Sequence, residues 1–127
     1  MRAIGAAVAL LVLAGCSAAP DTGDVSAAAG RFAASTPEQA CGLLAPDTLQ
    51  RLERDRGDCA TELARLALPQ QAEVLAVEVD GLSAQARLRE DVLFLALFPQ
   101  GWLVTAAGCS REPGSDPAEP YECEVAP

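Results

Sequence analysis

The sequence predicts an α+β domain in which N-terminal helices pack on a four- to five-stranded antiparallel meander held by two disulfides. Three observations carry this expectation. Between Thr36 and Pro69, apolar residues recur at helical spacing behind capping signals. From Ala72 the period drops to two, the alternation of a half-buried strand. Four cysteines, Cys41, Cys59, Cys109 and Cys123, fall in these two regions, an even number that suits bridges in an exported domain.

Thr36-Pro37-Glu38-Gln39 is a helix start: Thr36 as N-cap, Pro37 at the first helical position and Gln39 reaching back. Cys41 and Leu44 share one face of this short helix. Pro46 opens a second helix, with Asp47 near its positive end and Leu49 and Leu52 as its apolar stripe. Gly57 ends it. Asp58 caps a third, in which Cys59, Leu63 and Leu66 fall at i, i+4 and i+7 before Pro69 closes the region.

Leu75, Val77 and Val79 then alternate with polar or small residues, as do Leu82, Ala84, Ala86 and Leu88. Asp80-Gly81 between them is a two-residue hairpin signal, which would pair Val79 with Leu82 and Val77 with Ala84. The small Ala84 and Ala86 leave room for a helix to approach closely. Glu90-Asp91 is the next expected turn. Val92 to Phe98 is apolar at every position, so this strand is central, with both faces covered or one lining a pocket. Pro99-Gln100-Gly101 returns the chain into Trp102 to Ala107. Ser110 to Pro120 reads as a loop, and Tyr121 to Val125 as a short fifth edge strand. Four cysteines allow three pairings. Cys41–Cys59 and Cys109–Cys123 are expected, because each joins neighbouring elements of one layer.

The N-terminus carries an address. Arg2 precedes an apolar run from Ala3 to Leu13, too short to span a bilayer, and Leu13-Ala14-Gly15-Cys16 follows. That tetrapeptide resembles the lipobox of bacterial lipoproteins. The resemblance implies cleavage before Cys16, a diacylglycerol on its sulfur that brings palmitate as an acyl chain, and an extracytoplasmic protein anchored in the cell membrane. Residues 1–15 are then a signal peptide. Residues 16–35, rich in Ala, Gly, Ser and Asp, read as a lipidated cysteine and a flexible tether with too little apolar surface to fold. Residues 36–127 form the single domain.

Composition excludes several functions. The net charge is −9, and all 9 basic residues are Arg; cleavage before Cys16 would leave 8 of them against 18 acids. So acidic a surface argues against nucleic acid as a partner. The chain has no His, which removes the Ser-His-Asp and Cys-His catalytic pairs and the usual imidazole-bearing zinc sites; zinc held by four thiolates is the rival to two disulfides, and it lacks any Cys-x-x-Cys pair. No cofactor is implied and no metal site is expected; the acids at 112, 116, 119, 122 and 124 read as a solvated loop and strand. Helices before an antiparallel meander resemble the cystatin-like and NTF2-like folds. Gly101-Trp102-Leu103-Val104, Gly108-Cys109 and Pro120-Tyr121-Glu122-Cys123 look like small exported actinobacterial lipoproteins, through turn, core and disulfide residues that imply no chemistry.

The functional expectation is a non-catalytic module that binds an envelope protein partner or a small apolar ligand. Phe94, Phe98 and Trp102 are candidate pocket-lining residues, and the Ser110–Pro120 loop is the candidate partner surface. The alternative is a small NTF2-like enzyme acting on an apolar substrate, with Tyr121 as a candidate acid. It would need a pocket holding a buried carboxylate of raised pKa. By pattern, Glu78 and Asp80 lie on the polar face of their strand and Asp91 in a turn, so no such carboxylate is expected.

Overall fold

The computed structural model describes residues 21–70 and 73–127. The signal peptide expected over residues 1–15 and the expected lipidation site at Cys16 lie outside the described residues. Four helices precede five strands: α1 Thr22–Ala34, α2 Pro37–Cys41, α3 Pro46–Arg56, α4 Cys59–Leu66, then β1 Val74–Asp80, β2 Ser83–Leu88, β3 Val92–Phe98, β4 Gly101–Ser110 and β5 Glu122–Val125. The strands pair in sequence order, all antiparallel. Both expected disulfides, Cys41–Cys59 and Cys109–Cys123, are present. The architecture is α+β, as the change of period predicts.

The caps form as their chemistry requires. Thr36 and Gln39 make a reciprocal capping box, and Asp58 accepts from the backbone N–H of Thr61 at 3.0 Å. Gly57 stops α3 at φ +101°, where a β-carbon would be strained.

The tether expected over residues 16–35 is not what residues 22–34 form. They make α1, which packs across β1, β2, β3 and β4. Its buried face is Val25, Ala28, Ala29, Phe32 and Ala33, at i, i+3, i+4, i+7 and i+8. Only Val25 and Phe32 are large, which is why composition alone reads the stretch as too polar to fold. Ala is the strongest helix former, and its small side chain lets α1 lie close to Ala84 and Ala86 on the sheet. Asp24 in the first turn and Arg31 in the last suit the helix dipole.

Two turns sit one residue away from the positions expected. The first hairpin loop is Gly81-Leu82, so Asp80 pairs with Ser83, Val79 with Ala84 and Val77 with Ala86. Gly81 takes φ +60° at the first loop position, the type II′ arrangement that suits twisted hairpins. The register moves by two residues, so the apolar faces still meet. A bulge between Val74 and Ala76 then turns Val74 inward and leaves Leu75 exposed. The second loop is Arg89-Glu90: Arg87 pairs with Val92, and the Leu88 N–H donates to the Asp91 carbonyl at 2.8 Å. Asp91 therefore belongs to the strand end and is buried.

The helix-facing core contains Leu93, Leu95, Trp102, Val104, Ala107 and Val125. β4 departs from a regular ladder twice. Thr105 is the extra residue of a bulge against β3, and its carbonyl accepts a 2.8 Å hydrogen bond from the fully buried Thr48 hydroxyl on α3. Gly108 then takes φ +64°, packed so tightly that an added β-carbon would lie 2.9 Å from Glu124 Cβ and from Leu68 Cδ2. The outer edge of β4 is covered at two places: Leu43 and Ala45 exchange backbone hydrogen bonds with Val104, and β5 pairs from Ala107 to Ser110.

Candidate functional site

A cleft of about 460 Å³ opens where the C-terminal end of α1, α2, α4 and the start of β3 meet. Phe32 and Ala33 come to it from α1, Ala40 from α2, and Leu63, Ala64 and Ala67 from the α4 end. Leu68 and Pro69 continue the wall as the chain leaves α4, and Leu93 forms the sheet side. The local sequence shapes this space. Ala67 ends α4 in the left-handed region at φ 48°, turning the chain away from the helix axis. Ala33, Ala40 and Ala64 stand where larger side chains would fill the volume.

Among the described residues the polar lining is Ser35, Gln70 and Asp91. Asp91 is 6% exposed. Its Oδ1 accepts from the backbone N–H of Val92 at 2.7 Å and of Cys109 at 3.0 Å, and its Oδ2 from that of Gly108 at 3.2 Å. The left-handed Gly108 turn aims the last two donors inward, where no strand partner reaches them. Burial pushes the Asp91 carboxyl above the ordinary carboxylate range, against the opposing pull of these three N–H groups. The expectation that no buried carboxylate lines a pocket is thus overturned at Asp91. The sequence signal was available: an acid directly before a continuous apolar strand cannot stay in water if the turn closes one residue earlier. Glu62 is a second buried acid, paired at 2.7 Å with the exposed Arg65.

The far face of the sheet differs. There Val92, Ala106 and Cys109 make a small apolar cluster with Phe94, Tyr121 and Cys123. The Tyr121 ring meets Phe94 edge-on at 5.6 Å between centroids. Arg111 lies over Tyr121 at 4.2 Å, donates to its hydroxyl at 3.0 Å and to the Pro117 carbonyl at 2.7 Å. The Ser110–Pro120 loop is thereby tied back onto the sheet, and the Tyr121 phenol is engaged in holding it. A groove beside this loop includes Phe94, Arg87 and Glu78.

Of the candidate pocket residues, Phe94 lines that groove, while Phe98 and Trp102 line neither it nor the cleft. Trp102 is buried in the helix-side core. All four domain cysteines are in disulfides, and among the described residues no three Cys, Asp or Glu side chains converge as a metal site. No described helix is long and apolar enough to cross a membrane. Compared with protein-family models, with characterised proteins and with solved structures, the chain matches none.

Proposed function

We propose that this protein is an extracytoplasmic lipoprotein, held in the membrane by lipid on Cys16, whose domain binds a small, largely apolar ligand. The observation that carries the binding reading is the cleft between α1, α4 and β3. Its volume of about 460 Å³ falls in the range of about 300–1,000 Å³ typical of small-molecule sites. Its wall is mostly apolar with a few polar groups, the composition such sites use. The anchoring reading rests on Leu13-Ala14-Gly15-Cys16 behind an apolar run. Two acyl chains give the stable attachment that one does not.

Two measurements test the two halves separately. Radiolabelled palmitate enters the wild type and not Cys16→Ala; equal labelling refutes anchoring at Cys16. A neutral apolar fluorophore such as N-phenylnaphthylamine brightens on binding the wild type. Ala64→Trp fills the cleft from an exposed helix position and abolishes the signal. Undiminished brightening in that variant places the binding elsewhere.

An enzyme acting on an apolar substrate is the second reading, favoured by the buried Asp91 carboxylate in the cleft. It ranks second on geometry. Both Asp91 oxygens already serve backbone donors, and no second ionisable side chain among the described lining residues stabilises a developing charge.

A further inference from the structure

Asp91 is the one ionisable side chain on the cleft wall among the described residues. Three backbone N–H groups occupy three of its roughly four acceptor positions, two on Oδ1 and one on Oδ2. The remaining position is on Oδ2, whose single bond to Gly108 is also the longest of the three. No Arg lines the cleft, and the sequence contains neither Lys nor His, so no described side chain neutralises the carboxylate. The three N–H dipoles orient the charge without cancelling it.

A carboxylate against an apolar wall is costly to strip of water unless a cation replaces that water. A neutral ligand entering the cleft dehydrates Asp91 and returns less than a cation does, so it binds more weakly, and an anionic ligand is repelled. The overall charge of −9 selects in the same direction, drawing cations toward the protein and holding anions off. Resting on the ligand-binding reading of the cleft, we infer that the ligand is an amphiphilic amine, with a protonated nitrogen that pairs with Asp91 and an apolar body that packs against Phe32, Leu63 and Leu93.

The test uses the purified full chain and three water-soluble probes with one apolar body: cyclohexylmethylamine, cyclohexylmethanol and cyclohexanecarboxylate. Binding is followed by the amide resonances of Ala33, Leu63 and Leu93. At pH 7 the amine binds at least about tenfold more tightly than the alcohol, because its positive charge pairs with Asp91 where the neutral hydroxyl only donates a hydrogen bond, and the carboxylate binds weakest. The advantage of the amine shrinks as pH is lowered and Asp91 takes up a proton, since no other ionisable group lines the described cleft. In Asp91→Asn the alcohol still binds and the amine loses its lead. Should that variant not fold, the pH series on the wild type carries the same information. Amine and alcohol binding within threefold of each other, or an amine preference unchanged down to pH 3, overturns the inference and leaves the apolar cleft reading intact. No resonance shift with any of the three probes overturns both.

Discussion

Truncating Phe32 tests whether α1 is part of the domain. The side chain is 5% exposed and packs in the core that α1 shares with Leu93, Leu95 and Leu63. Phe→Ala at a buried site costs about 3–5 kcal/mol, combining lost transfer energy with the cavity left behind. Phe32 also borders the cleft, so part of its surface has no partner to lose, which puts Phe32→Ala near the lower end, about 3 kcal/mol. At about 4–8 °C per kcal/mol for a domain of this size, Tm falls by about 12–24 °C. Urea unfolding monitored by Trp102 fluorescence measures the change, with the disulfides intact. Ala27→Gln on the exposed face of the same helix is the control and shifts stability by less than about 0.5 kcal/mol. A Phe32→Ala loss below about 1 kcal/mol would refute the docking of α1 and restore residues 22–34 as a tether.

Four further outcomes follow from single positions. Gly108→Ala combines a left-handed φ with 2.9 Å contacts and costs more than Gly81→Ala, where φ is equally positive but nothing lies within 4 Å; equal melting temperatures would contradict the Gly108 packing. Thr48→Val leaves the Thr105 carbonyl without its buried donor and costs about 1–3 kcal/mol in denaturant unfolding, against little for the exposed Thr61→Val apart from its local bond to Asp58. For Asp91 the folded carboxyl is raised above 3.8, so the native state holds its proton more tightly and this group's contribution to stability declines as pH rises from 3.8 through the folded value. Asp91→Asn flattens that part of the stability–pH curve, and an unchanged curve refutes the assignment. Asp58 has the opposite sign, lowered by the Thr61 backbone N–H, so its contribution is present above 3.8 and is lost only as pH falls through its lower folded value.

The elements with local signals were legible in the sequence. Thr36, Asp58, Pro37, Pro46 and Gly57 place three helices because capping and backbone restriction act within a few residues. The disulfides follow from the same local order. α1 was not legible by composition, although Val25, Ala28, Ala29, Phe32 and Ala33 carry a full helical stripe. The stripe is made mostly of Ala, and its value depends on the equally small Ala84 and Ala86 that it meets far along the chain. The hairpin loops are ambiguous in the sequence for a related reason. Asp80-Gly81 and Gly81-Leu82 are both acceptable two-residue loops, and they differ by a two-residue register change that preserves the apolar faces. The choice decides only small things in β1 and β2. At the next hairpin the same ambiguity moves an acid from solvent to the interior, and the cleft acquires its charge there.

The placement of Asp91 follows from β4. That strand leaves the ladder twice, at Thr105 and at Gly108, and each departure leaves backbone groups for a distant side chain to satisfy. At Thr105 the leftover group is a carbonyl, and a neutral donor, Thr48, meets it. At Gly108 and Cys109 the leftover groups are N–H donors, so an acceptor is required. Asn offers one acceptor oxygen where Asp offers two, and here two oxygens serve three donors. The backbone therefore accounts for an acid at this position without any ligand. It does not account for the setting: the same acid lies on the wall of an apolar cleft with no described cation opposite it. These two roles separate by charge. Backbone capping requires acceptor oxygens and survives in part when the group is neutral, whereas pairing with an amine requires the negative charge itself. Stability and amine affinity therefore respond in opposite directions as pH falls toward 3.8, the first rising from this group's contribution and the second declining. A purely structural aspartate would give the first response without the second.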